Sequence, residues 1–173
     1  MLCETVMKHA DRRPATRAEA RALAHPMRLR VLRLCLDEAL TNRDLADRLR
    51  AEPATVLYHV RTLVRTGFLA PESERRGRRG AREIPYRATG KSWNLDFEPQ
   101  GSGFLAPVDA FRTEAAEAGA EAMLESVRLG VRLGPVALER LQRRLAEAAA
   151  EAHAADDPDG DAVSLYIGLH RRR

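Results

Sequence analysis

Two short stretches of helical periodicity, joined by a four-residue turn, constrain this chain more than any other feature in it. Residues 42–50 follow Thr41, an N-cap candidate, and put Leu45, Ala46 and Leu49 on one face. Arg50-Ala51-Glu52-Pro53 forms a tight turn. Residues 53–66 then carry Val56, Val60, Leu63 and Val64 inward, with proline at the first helical position and Gly67 as the C-terminal stop. Phe68-Leu69-Ala70 begins an extended segment, and residues 84–88 return as a second strand. The two make a β-hairpin around a glycine-containing loop.

A short helix, a tight turn and a second helix let the second enter the major groove of double-stranded DNA while the first crosses the phosphate backbone. Such a recognition helix needs one face for docking and one for contact. With Val56, Val60 and Leu63 committed inward, Pro53, Ala54, Leu57, Tyr58, Arg61 and Arg65 are left facing out. Arg61 suits guanine edges or a phosphate, and Tyr58 a phosphate or a thymine methyl. Ala54 and Leu57 are confined to apolar contacts. Thr55, near the helix start, fits either a phosphate contact or a capping role. Arg43 on the first helix completes the contact candidates from this pair. His59 borders the face and reads first as a half-buried histidine between helices, with pH sensing or metal binding as the alternatives.

The hairpin loop, residues 75–82, holds five arginines, Arg75, Arg76, Arg78, Arg79 and Arg82. They repel one another unless something neutralises them. A hairpin tip over the DNA backbone or minor groove does so and gains from counterion release. The competing reading is a solvated loop in an arginine-rich proteome. Lys8 and Lys91 are the only lysines, a bias that suggests a GC-rich bacterial genome. The charge is nevertheless uneven. Residues 16–92 carry seventeen basic against nine acidic residues, and residues 93–173 nine against fourteen. Only the front half is suited to a polyanion.

The rest of the chain frames this unit. Residues 1–15 lack periodicity and read as a flexible arm. Thr16 and Glu19 form a capping box for a first helix, which stops before Pro26. A second helix starts at Pro26, with Leu29, Leu32 and Leu36 on its apolar side and Val31 and Cys35 alongside. Cys35 is read as a small buried hydrophobe. Residues 93–103, with Pro99, Gly101 and Ser102, read as a linker. Residues 104–125 form an alanine-rich amphipathic helix suited to dimerisation. Residues 126–133 and 163–169 alternate apolar and polar side chains around a helix opened by Gly134-Pro135, a strand–helix–strand pattern. The fold class expected is mainly α with small β. A winged helix-turn-helix domain occupies 16–92, and a dimerisation and effector region occupies 104–173.

The segments "LAHPMRLRVLRLC", "LTNRDLADRLRAEPATVLYHVRTLVRTGFL" and "PYRAT" resemble the ArsR-type winged helix-turn-helix regulators of bacteria. The resemblance covers about seventy residues. It implies a homodimer whose recognition helices occupy successive major grooves of a pseudo-palindromic site, with Ala54, Leu57, Tyr58 and Arg61 where the family reads bases. The chain departs from the metal-sensing members. Their cysteine pair would fall near Leu45-Ala46-Asp47, where there is none. His153, Glu151, Asp156 and Asp157 lack paired ligand spacing.

The expected function is therefore a homodimeric, DNA-binding transcriptional repressor without metal or cofactor, with an unidentified small-molecule effector as a further partner. No catalytic constellation argues for an enzyme. Two other readings compete with it: a winged-helix protein-interaction module that has lost DNA binding, which the arginine loop opposes, and an enzyme with a DNA-binding front end. Hydrophobic residues at 45% and charged residues at 31% give a soluble globular profile. No apolar run approaches the length of a membrane span, and no signal peptide is visible, so the expected location is cytoplasmic.

Overall fold

The computed structural model describes residues 12–77, 82–97 and 104–171. It divides into two compact units, Arg12–Glu114 and a second that takes in Ala115–Arg173.

The first unit is built on four helices, α1 (Arg17–Leu23), α2 (Pro26–Asp37), α3 (Asn42–Leu49) and α4 (Pro53–Arg65). Each start has a local cause. Thr16 and Glu19 form the capping box of α1, and Thr41 and Asp44 that of α3. α2 is capped by His25, whose Nδ1 accepts from the Met27 N–H at 3.1 Å. α4 ends in a Schellman turn: the Gly67 N–H donates to Val64 O and the Phe68 N–H to Leu63 O. Gly67 takes φ +74°, which glycine tolerates without strain. α3 ends in the same pattern, but Arg50 occupies the left-handed position at φ +50°.

Val31, Cys35, Leu45, Val56, Val60 and Leu63 have 0% exposure and form the centre of the core, with Phe68 and Leu69 of the following segment. Three-stranded antiparallel pairing covers one side. β2 (Leu40–Thr41) and β3 (Leu69–Pro71) flank β6 (Pro85–Ala88), in the registers Leu40↔Tyr86 and Leu69↔Ala88. The hairpin continues as β4 (Arg75–Arg76) against β5 (Arg82–Glu83). This is a mainly helical winged helix-turn-helix unit with small sheets.

Several sequence expectations change. The inner face of α2 is Val31, Leu32 and Cys35, while Leu29 is half-buried and Leu36 is exposed. The stripe is rotated because Arg28 also turns inward, to the end of α1. Arg13–Pro14 is not a flexible arm but β1, paired in parallel with β7 (Leu95–Asp96). The start of the expected linker is likewise folded: residues 91–94 form a 3-10 turn and Leu95 is buried. The remainder of the arm, residues 1–11, and of the linker, residues 98–103, lie outside the described residues.

The helix expected over 104–125 is α5 (Ala106–Ala118). It stops at Gly119, whose φ of +92° is incompatible with helix, and a short 3-10 turn follows.

In the second unit, α6 (Pro135–Ala154) forms as expected, but the flanking strands do not. Residues 126–133 and 161–171 have no regular structure, and Val127, Leu129, Val163 and Leu165 are exposed. The physical reason is hydrogen bonding. A helix satisfies its own backbone, whereas a strand needs a neighbour, and alternation supplies only the side chains. No helix among the described residues is long and apolar enough to cross a membrane.

Candidate nucleic-acid interface

The geometry of the site begins with the turn between α3 and α4. The Asn42 side-chain amide donates to Pro53 O at 3.0 Å, tying the start of one helix to the start of the other. Leu45 and Leu49 of α3 and Val56 and Val60 of α4 share the same core, which fixes the crossing. Asp44 holds this corner together. Burial pushes its carboxyl up, but the Thr41 N–H and hydroxyl, with Arg75 and Arg48, hold it net below its ordinary value.

Docking by Val56, Val60 and Leu63 turns the opposite side of α4 outward. At 3.6 residues per turn, Ala54, Tyr58, Arg61 and Arg65 fall within about 60° of one another around the helix. All four are exposed, Tyr58 at 65%. Leu57 is half-buried at one border and Thr55 exposed at the other. Pro53 is exposed at the helix start, and Arg43 is exposed in the first turn of α3. Of the sequence-derived contact residues, Ala54, Tyr58, Arg61 and Arg65 share one exposed face of α4. Thr55 does not cap α4, whose N-cap, Glu52, makes no side-chain capping bond.

The arginine loop differs from expectation. Arg75 pairs with Asp44 at 3.2 Å, and its Nε lies 4.0 Å from Glu83. Arg82 pairs with Glu74 at 3.2 Å. The hairpin therefore neutralises two of its own arginines, and the Arg75–Asp44 pair braces it against α3. Arg76 is exposed without a described ion-pair partner. Arg78 and Arg79 lie outside the described residues. The acidic partners within the hairpin, at positions 74 and 83, were visible in the sequence. Their alternation with the arginines across a hairpin is the signal that would have revealed the pairing.

His59 is more buried than half, at 5% exposure, and packs against His25 with the rings tilted and their centroids 4.5 Å apart. Burial, with His25 and Arg28 nearby, pulls its imidazole down to about 4, so it is neutral at physiological pH. Among the described residues no group of three or more His, Cys, Asp or Glu side chains gathers to hold a metal ion. Cys35 is fully buried, and burial pushes its thiol up to about 12, which leaves it unreactive.

Sequence reasoning missed Glu19 as more than a cap. Its carboxylate accepts from Arg13 at 2.7 and 3.0 Å and from the Thr16 N–H at 2.8 Å, and it pairs with Lys91 at 2.7 Å. These contacts, led by Arg13, hold it well below the usual carboxylate range. One buried acid thus fastens β1, α1 and the 3-10 turn before β7.

Residues 23–72 match the family model described as a helix-turn-helix domain. Comparison with curated protein sequences gives no match. Among solved structures, reduced HlyU from Vibrio cholerae is similar at 25% identity, covering 41% of this chain and 68% of that one, with a TM-score of 0.36. MepR of S. aureus, solved as a DNA complex, is similar at 17% identity over 79% of this chain and 80% of its own, with a TM-score of 0.28. Both scores are low, and neither likeness bears on what this chain does. Residues 23–72 have the fold of a helix-turn-helix domain, and β6, which follows them, completes the sheet with β2 and β3.

Proposed function

We propose that this chain is a sequence-specific, double-stranded-DNA-binding transcriptional regulator of the ArsR type, acting as a homodimeric repressor. The observation that carries the reading is the α4 face of Ala54, Tyr58, Arg61 and Arg65, left exposed by a helix whose other side is fully committed to the core. Arg61 has the donor fork for a guanine edge, and Tyr58 and Arg65 flank it for backbone contacts. Thr55, Arg43 and the wing arginines complete the phosphate contacts.

One winged helix touches too few bases for tight specific binding, which calls for a second copy. The second unit supports this. It exposes Val127, Leu129, Val131, Leu133, Val163, Leu165 and Leu169, and pairing with another chain would bury them as strands. A dimer seated on two successive major grooves obstructs other proteins at that site, so repression follows.

Selection of genomic fragments bound by the full chain tests the proposal. The expected result is an enriched inverted repeat with half-sites about 10 bp, or a multiple of that, apart. Retention of no fragment even at low salt would overturn it.

A further inference from the structure

Beside the recognition face lies a cleft of about 490 Å³ between α1, the start of α2 and α4. Its wall includes Arg21, Arg28, Tyr58, Thr62 and Arg65, and no acidic side chain among the described residues lines it. Arg28 is 9% exposed. Its guanidinium donates to Ala22 O and, at 2.8 Å, to Arg21 O, so backbone carbonyls at the end of α1 hold it in place of a carboxylate. Its charge also reaches the neighbouring imidazoles, and it is among the groups that depress both His25 and His59. A buried cation supported only by neutral acceptors is costly, and an anion close by offsets that cost. Arg21 and Arg65 are exposed at the rim and carry forked donors suited to an oxyanion. The Thr62 hydroxyl donates to Tyr58 O at 3.0 Å and the Thr66 hydroxyl to Thr62 O at 2.8 Å, which leaves the Tyr58 hydroxyl as the neutral donor of the wall.

We propose that this cleft is an oxyanion site that seats a phosphate group. Two sources share that chemistry: a backbone phosphate of DNA beside the groove that α4 enters, and a free phosphate-bearing small molecule. Tyr58 and Arg65 belong both to the cleft and to the exposed face of α4. A free anion seated here therefore competes with DNA, and the cleft becomes an effector site. The DNA source rests on the proposed function, while the free-anion source does not.

Arg21→Ala separates the possibilities, because Arg21 is exposed and belongs to α1 rather than to the recognition helix. Its melting temperature should match that of the parent chain. In the first arm, inorganic phosphate is titrated into the full chain by calorimetry at constant ionic strength, with chloride as the reference anion. Saturable binding that Arg21→Ala loses and Arg21→Lys restores identifies a free-anion site, whether or not the chain binds DNA. In the second arm, the salt dependence of binding to a duplex is measured. A fall of about 1 in the slope of log K against log salt for Arg21→Ala, recovered in Arg21→Lys, identifies a seated DNA phosphate. Unchanged phosphate binding together with an unchanged slope overturns the proposal. A chain that binds no DNA but binds phosphate through Arg21 overturns the functional reading and leaves the cleft standing.

Discussion

The unit from Arg12 to Glu114 buries Val31, Leu45, Val56, Val60 and Leu63 completely, whereas α6 in the second unit buries none of its twenty residues. Both regions are apolar enough to build a core. They differ in what each apolar face meets. In the first unit, α2, α3 and α4 converge on one cluster, and β2, β3 and β6 close one side of it. In the second, Leu138, Leu141 and Leu145 of α6 are only half-buried, and Leu124, Val127, Leu129 and Val136 are mostly exposed. Periodicity states which face wants burial. It does not state whether the burying surface belongs to the same chain.

The comparison breaks most visibly if the core of the first unit is opened. Leu63→Ala should cost about 2–5 kcal/mol, read as a lowered denaturation midpoint, because Leu63 is fully buried beneath α4. A loss under about 1 kcal/mol would mean that this core is as loose as the second unit. The matching change in the second unit is Leu165→Asp. Leu165 is 64% exposed, so its effect on the stability of the isolated chain should be small. Under the homodimer proposal the dissociation constant should rise by at least about tenfold, since a charge would be buried at the interface. Sedimentation of the two proteins over a concentration series checks this, and an unchanged dissociation constant would remove 163–169 from the interface.

Glu19→Gln comes next. It weakens contacts to Arg13, Lys91 and Thr16 and should cost about 1–3 kcal/mol at neutral pH. The parent chain should also lose stability on acidification through two groups. Glu19 has a folded pKa depressed below its ordinary 4.5, so its contribution is present above that value and is lost as pH falls through the folded pKa. His59 falls from 6.5 to about 4 in the folded state, so the unfolded chain takes up its proton first, and stability declines between those values. Glu19→Gln should flatten the lower window and spare the upper one in acid-denaturation curves. A loss confined to the upper window would contradict the Glu19 assignment.

The smallest effect belongs to the turn. Arg50 holds φ +50°, a conformation that costs an L-residue about 1–2 kcal/mol, while glycine adds about 0.5–1 kcal/mol of chain entropy to be lost. Arg50→Gly should therefore stabilise the domain by up to about 1 kcal/mol. A destabilised variant would show that the Arg50 side chain contributes more than its exposure implies.

The bounds of α1, α3 and α4 were legible in the sequence to within a residue or two. α3 and α4 declared themselves through caps, a proline at the first position and one-sided apolar spacing, and the contact face followed by subtraction. Arg28 was not legible, because an arginine inside an apolar stripe looks like solvent-facing charge until the end of α1 is brought against it. β2 and β7 were hidden for a different reason. Each has two residues, too few to show alternation, and exists through β6 or β1, distant in sequence. The wing arginines misled because charge was counted along the chain, whereas pairing runs across the hairpin. The alternating segments around α6 were read correctly as patterns and wrongly as formed strands, because alternation does not supply the neighbour to which a strand must bond.

The central claim is that the exposed α4 face reads DNA. It is tested most directly by fluorescence anisotropy of the full chain on its selected duplex and on single-base variants of that duplex, comparing the parent with Arg61→Ala. Arg61 is exposed, so the variant should melt as the parent does. The account predicts a loss of about 1–3 kcal/mol on the selected duplex and relaxed discrimination at one base position in each half-site. An Arg61→Ala protein that binds with unchanged affinity and unchanged preference would contradict it.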